Sequence, residues 1–292
     1  MPLTSGLPPP PPPLPAPVVD AHTHLDACGA TDPAGVRAAL DRAAAVGVVA
    51  VVTVADDMAA ARWVVQASSW DDRVFAATAL HPTRTATMTD ADRAELERLA
   101  VASRVVAVGE TGLDYYWPRR NPDVASPEVQ REAYRWHIDL AKRVGKPLMI
   151  HDRDAHHDVL AVLDQEGPPE TVVFHCFSGD AAMARTCVDA GYVLSFSGTV
   201  TFRNAQALRK AAMLVPDGQL LVETDAPFLT PHPHRGQRND PVNLPYTVTD
   251  LAALRGQDVA ELAASSSATA ERIFGFGRLT AQLGVTDTVR RL

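Results

Sequence analysis

Apolar and polar positions fall in a repeating block pattern along the chain. Short runs rich in Val, Ile, Leu and Phe at 18–24, 48–54, 74–80, 105–110, 147–151, 171–177, 192–196 and 220–224 predict strands. Most are almost continuously apolar, so these strands are expected to be buried on both faces, as in a parallel sheet. Between them lie stretches with helical spacing, at 33–46, 56–68, 89–102, 127–144, 155–166, 180–190, 204–213 and 246–274, the last expected to be broken. Gly47, Gly145 and Gly191 stand just past helical stretches, where a left-handed cap is favoured. Asp90 and Ser126-Pro127 read as helix starts. Eight strand–helix units in about 250 residues predict an α/β fold, a single-domain TIM-like (β/α)8 barrel. An open doubly wound sheet fits less well, because no glycine-rich phosphate loop follows the first strand.

The barrel is assigned to 18–292 and a proline-rich tail to 1–17. Pro8 to Pro13 is unbroken, with Pro15 and Pro17 close behind. Such a tract is expected to be disordered or polyproline II. A role as the ligand of a proline-binding module is the weaker reading, and no other protein partner is legible.

Composition narrows the function classes. With 46% hydrophobic and 21% charged residues in 292, the chain can bury a sizeable core. The net charge of −8 argues against a broad basic face gripping duplex DNA, though not against local capture of one strand end. No apolar run is long enough to span a bilayer, and no basic segment followed by an apolar one marks a signal peptide. Cys28, Cys176 and Cys187 form no disulfide pattern. A cytoplasmic protein without a membrane partner is expected.

In a barrel, chemistry collects at the C-terminal strand ends. The first strand ends in Asp20-Ala21-His22-Thr23-His24, where period-2 alternation would put Asp20, His22 and His24 on one face. The third ends in His81-Pro82, the fourth in Gly109-Glu110-Thr111-Gly112-Leu113-Asp114, and the fifth in His151-Asp152-Arg153-Asp154. The sixth carries His175-Cys176, and the eighth ends in Glu223-Thr224-Asp225. Taken singly, His151 or His175 reads equally well as a hydrogen-bonded core histidine. Jointly, His22, His24, Glu110, His151, His175 and Asp225 predict a metal centre on one rim. Six donors, one of them a carboxylate able to bridge, suit two divalent ions roughly 4 Å apart. Histidine-rich donors suit zinc or manganese, whereas phosphoester cleavage often uses magnesium. Asp20, two residues deeper, is expected to orient a ligand histidine.

These stretches, with Phe174-His175-Cys176-Phe177-Ser178-Gly179, Glu223-Thr224-Asp225-Ala226-Pro227 and Pro233-His234-Arg235-Gly236, make the chain resemble the TatD family of metal-dependent deoxyribonucleases within the amidohydrolase superfamily. The resemblance implies one ion at His22, His24 and Asp225, another at His151 and His175, and Glu110 bridging them or binding one. The bridge would replace the carboxylated lysine of many amidohydrolases. No lysine lies at a strand's C-terminal end, since Lys146 precedes the fifth strand. The implied reaction is phosphodiester hydrolysis, most directly a 3′–5′ exonuclease on single-stranded DNA. In it Asp225 and Glu110 are catalytic, Asp225 orients the attacking water, and His81 is a phosphate contact or proton donor. Arg153, His234, Arg235 and Arg238 are expected to bind anions. Tyr115, with Tyr116 and Trp117, is a candidate for base stacking. The alternative is a hydrolase of another ester or amide on the same metal pair, such as an aminoacyl-tRNA deacylase, a lactonase or an amidase. A third reading is a metal-dependent binding protein without turnover. The chain departs from the family pattern in a longer loop at 117–126, in Asp240 where Glu is common, and in Thr269 where Asn is expected.

Overall fold

In the computed structural model, which describes residues 6–276, eight strands run parallel in chain order. They are β1 (Val18–Thr23), β2 (Val48–Val54), β3 (Val74–Ala77), β4 (Val105–Asp114), β5 (Leu148–Arg153), β6 (Val172–Phe174), β7 (Val193–Phe196) and β8 (Leu220–Val222). The helices α1 (Pro33–Ala44), α2 (Met58–Ala67), α3 (Asp90–Ala100), α4 (Pro127–Val144), α5 (His156–Glu166), α6 (Ala181–Asp189) and α7 (Gln206–Ala212) alternate with them. The chain finishes with α8 (Leu244–Arg255) and α9 (Val259–Phe274), so the single long helical stretch is indeed broken. Gly256, in the left-handed region at φ 65°, closes α8, and Asp258 starts α9 by accepting from the Ala260 and Glu261 amides. The limit at 292 lies outside the described residues. Among those described, no helix is long and apolar enough to cross a membrane.

The core has two shells, as strands apolar on both faces require. Val19, Ala50, Val52, Phe75, Ala77, Met149, Val173, Val193 and Leu221 fill the barrel interior, and Ile273 and Phe274 of α9 plug its floor. Val51, Val74, Val105, Leu148, Ile150, Phe174, Leu194 and Leu220 face outward onto the helices. The barrel closes between β1 and the segment after β8. There the Asp225 amide donates to the His22 carbonyl (2.9 Å) and the His24 amide to the Ala226 carbonyl (2.8 Å). The seam therefore lies at the rim that carries the histidines, and it fixes Asp225 against His22 and His24.

The proline tract lies along the barrel wall rather than away from it. Pro8 and Pro11 are buried, and Leu14 and Pro17 are half-buried. Burial of every third residue is the pattern of a three-residue-per-turn helix laid on a surface. Leu14 donates to the Val46 carbonyl, Tyr246 Oη to the Pro9 carbonyl, and Ser267 Oγ to the Pro17 carbonyl.

Candidate metal centre

Two clusters of donor atoms meet across Glu110 at the C-terminal mouth. Nε2 of His22 and Nε2 of His24 face each other at 3.3 Å. Each lies 3.5–3.7 Å from Glu110 Oε1 and from Asp225 Oδ1. On the other side His151 Nδ1 and His175 Nε2 are 3.3 Å apart. Both face Glu110 Oε2, at 3.3 and 2.9 Å. Donors bound about 2.1 Å from one tetrahedral ion stand roughly 3.4 Å apart, which is the spacing found in both clusters. Imidazole nitrogens and carboxylate oxygens are the donor set of zinc and related divalent ions. The residues present therefore fit two metal positions.

Local sequence explains how Glu110 reaches this place. A Cβ on Gly109 would stand 2.4 Å from Met149 Cβ, and one on Gly112 would stand 2.2 Å from the His151 carbonyl oxygen. Gly112 also has φ +124°, a region closed to other residues. The two glycines of Gly109-Glu110-Thr111-Gly112 thus let β4 press against β5 and bring Glu110 between the two histidine pairs. Asp225 itself has φ 52°, a conformation non-glycine residues rarely adopt and one that recurs at functional sites.

Every ring nitrogen that faces away from the clusters has its own partner. His24 Nδ1 donates to the Val54 carbonyl (2.9 Å), and His22 Nδ1 abuts the Met149 thioether sulfur (3.2 Å). His175 Nδ1 meets Glu223 Oε1 (3.2 Å), an oxygen that also accepts from the Cys176 amide. His151 Nε2 meets Asp114 Oδ2 (3.2 Å), whose other oxygen accepts from the amides of Tyr116 and Trp117. Glu223 and Asp114 escaped selection from the sequence, although Glu223 opens one quoted motif and Asp114 closes another. Carboxylates backing metal histidines fix the tautomer and raise ligand basicity.

Electrostatics follow from this crowding. Burial, then the neighbouring His175 charge, holds His22 well below the usual histidine range. Burial also opposes charge on His175, but Glu110 and Glu223 outweigh it and raise that histidine well above the range. His24 is raised to about 9 because Asp225 and Glu110 overcome its desolvation. Glu110 is held well below the carboxylate range against the penalty of burial, chiefly by His175. His81 is lowered to about 3 by burial and by the positive His151. Its Nδ1 accepts from the Thr83 amide (3.2 Å), which leaves the ring hydrogen on Nε2. A neutral His81 offers that Nε2 hydrogen as a hydrogen-bond donor.

Several expected contacts sit elsewhere. Asp20 accepts, at Oδ1, from the backbone amide of the candidate ligand His22 (3.4 Å) rather than from an imidazole ring. It accepts from the Thr224 amide (2.9 Å) and pairs with Thr224 Oγ1 (2.6 Å), tying β1 to the end of β8. The cause is a register shift between Asp20 and Thr23, which interrupts the alternation assumed for β1. The hydroxyl of Tyr115 is engaged between Asp158 Oδ2 (2.7 Å) and Arg131 (2.7 Å), so this side chain joins α4 to α5. Arg238 donates to the Ala27 carbonyl (2.8 Å) and ties its loop to the turn after β1. His234 pairs with Tyr246 Oη (3.1 Å), and Arg235 lies over the Phe202 ring at 4.4 Å. Arg153 is at the rim, stacked 3.8 Å from the Tyr116 ring centroid, with Arg120 on the same ring at 3.7 Å. The departures from the family pattern have structural roles: Asp240 accepts from Arg42 (2.8 Å), and Thr269 donates to the Asp217 carbonyl (3.0 Å). Lys146 donates to the Ala100 and Ala102 carbonyls, well away from the histidine clusters.

Comparison with known proteins agrees with this geometry. Residues 19–275 match the family model described as TatD related DNase. An uncharacterized metal-dependent hydrolase TatD of Mycobacterium tuberculosis is 64% identical over 260 residues, covering 89% of this chain and 98% of the relative. A 3′-5′ ssDNA/RNA exonuclease TatD of Erwinia tasmaniensis is 34% identical, covering 70% of this chain and 79% of the relative. The crystal structure of YjjV, a TatD homolog from Escherichia coli, superposes with a TM-score of 0.80 at 29% identity, covering 88% of this chain and 98% of that one. The chain belongs to the TatD-related family and is a metal-dependent hydrolase of the TatD type.

Proposed function

We propose that this chain hydrolyses phosphodiester bonds in single-stranded DNA, proceeding from the 3′ end, with two divalent ions held by His22, His24 and Asp225 and by His151 and His175, bridged by Glu110. The observation that carries the reading is the Glu110 carboxylate, whose two oxygens face the two histidine pairs separately. Two ions so placed, when bound, supply an activated water and neutralise charge on the phosphoryl group. Asp225 sits where it can orient that water and accept its proton. The Nε2 hydrogen of neutral His81 is available to a phosphoryl oxygen, as an electrostatic contact to developing charge. Arg153, stacked on Tyr116 at the rim, would supply an anion contact. The exonuclease named among the relatives supports this choice over other ester or amide bonds. Histidine-rich donors favour zinc or manganese over magnesium. The unpaired Cys28, Cys176 and Cys187 favour a reducing compartment, the cytoplasm.

The test is a metal-by-substrate profile of chelator-stripped protein. We expect stepwise loss of a 3′ label from single-stranded DNA, restored by zinc or manganese and absent in Asp225→Ala. Cleavage of aminoacyl-tRNA, a lactone or an amide with no nucleotide release would replace the nuclease reading with another hydrolase. Metal binding without turnover on any of these substrates would reject it.

A further inference from the structure

Trp117 and Phe228 are the two aromatic members among the seven large apolar side chains exposed in the described residues, at 43% and 50%. Both belong to the rim of the metal centre. Phe228 follows β8, and its ring meets the His24 ring edge-on at 6.0 Å. Its backbone is pinned on both sides: the amide donates to the Asp225 carbonyl (2.9 Å), and its carbonyl accepts from Asn239 Nδ2 (2.7 Å). Trp117 follows β4. Its amide donates to Asp114 Oδ1 (3.1 Å), the same carboxylate that holds His151. In an eight-stranded ring ordered β1 to β8, β4 and β8 lie across the barrel from each other. The Phe228 ring thus stands beside His24, and the Trp117 backbone is held by the carboxylate that backs His151. About half of each of these residues stays in water on a fixed backbone beside a polar centre, where it is open to a ligand. Arg120 and Arg153, stacked on Tyr116 next to Trp117, place positive charge at one end of this line.

We propose that Trp117 and Phe228 are base platforms on either side of the scissile phosphodiester, and that they set the preference for unpaired nucleic acid. Stacking needs a free base face, which a duplex withholds and a single strand offers. Stacking also tolerates any base, so the proposal gives strand selectivity without sequence selectivity. Phe228 and Trp117 are binding residues here, and Asp114 is a positioning residue for the second platform.

The inference rests on the nuclease reading above, and the experiment separates the two. Steady-state kinetics are measured on a 3′-labelled oligothymidylate and on a matched oligonucleotide with abasic residues flanking the scissile bond. The wild-type protein is expected to have a lower KM for the base-bearing strand. In Phe228→Ala and in Trp117→Ala that KM advantage shrinks, by roughly 5- to 150-fold per platform, the range of one stacked base. Phe228→Tyr and Trp117→Phe restore it, a rescue that a merely structural role would not give. If wild type cleaves the oligothymidylate but neither alanine variant changes the KM ratio, the platforms are wrong and the nuclease reading stands. If wild type cleaves neither strand, both fall together.

Discussion

The two halves of the metal centre use the same side chains in different settings. His22 and His24 are backed by neutral groups, a thioether and a backbone carbonyl. His151 and His175 are each backed by a carboxylate, Asp114 and Glu223. The neutral-backed half has Asp225 in direct reach as a further anionic donor. In the carboxylate-backed half Glu110 is the anion facing the same ring nitrogens, while Asp114 and Glu223 meet the opposite nitrogens of His151 and His175. Negative charge is thus supplied directly on one side and through a hydrogen bond on the other. This teaches that a count of donors alone misjudges the balance between the two histidine pairs, because backing groups change ligand basicity.

The largest effect is expected where both halves meet. Glu110→Gln removes the charge that each half shares, and each histidine pair would lose its common anionic partner. Metal affinity should fall on both sides by more than the roughly 10- to 100-fold that loss of an outer partner causes, and turnover should fall with it. Metal titration of the stripped variant by calorimetry checks this. Retention of two sites at wild-type affinity would remove Glu110 as the bridge and end the comparison.

Next come the backing carboxylates. Glu223→Ala should weaken metal binding roughly 10- to 100-fold, and Asp114→Ala similarly, each at one position only. Glu223→Gln should cost less, because its amide oxygen can still accept from the Cys176 amide and from His175 Nδ1. Loss at both positions from a single substitution would show that the halves are not separately supported. Asp114→Ala should additionally alter Trp117 fluorescence, since it frees the Tyr116 and Trp117 amides.

The barrel and the gathering of His22, His24, Glu110, His151, His175 and Asp225 at one rim were legible in the sequence, but the groups behind the histidines were not. Strands apolar on both faces allow one main architecture, and that architecture says where polar strand ends must gather. What failed was direction. The β1 register shift sends Asp20 to Thr224 instead of to an imidazole. β4 runs to Asp114 rather than stopping at Glu110, so Asp114 stays in the ladder opposite Arg153 with its side chain on His151, while Tyr115 turns toward α4 and α5. Phe228 was hidden by its motif, where it reads as an ordinary apolar residue after Pro227. Spacing gives which strand end a residue occupies. It does not give which way a side chain turns once the strand bulges or runs on.

Proton exchange sharpens the comparison further. In the metal-free protein His24 is raised to about 9 and His175 is raised as well, so both carry protons at pH 7, whereas His22 is neutral. Metal needs the free lone pair, so loading must expel these protons. The sign follows: each expelled proton makes the affinity rise about tenfold per pH unit until the histidine loses its proton unaided, near pH 9 for His24. Calorimetry in two buffers of different ionisation enthalpy should record proton release at pH 7. A buffer-independent heat would contradict it.

The smallest effect is expected at Met149. Its sulfur lies 3.2 Å from His22 Nδ1, and a thioether is a weak acceptor. Its side chain also packs against Gly109, which admits β4 at this point. Met149→Leu keeps the volume and removes the acceptor, so it should cost less than about 1.5 kcal/mol of stability. Metal affinity should stay within roughly threefold of wild type, because the lost contact is weaker than a carboxylate–histidine bond. A tenfold or larger loss in affinity without a matching fall in stability would mean that the sulfur orients His22 as firmly as Glu223 orients His175. The two halves would then be backed alike, and the difference between them would reduce to Asp225.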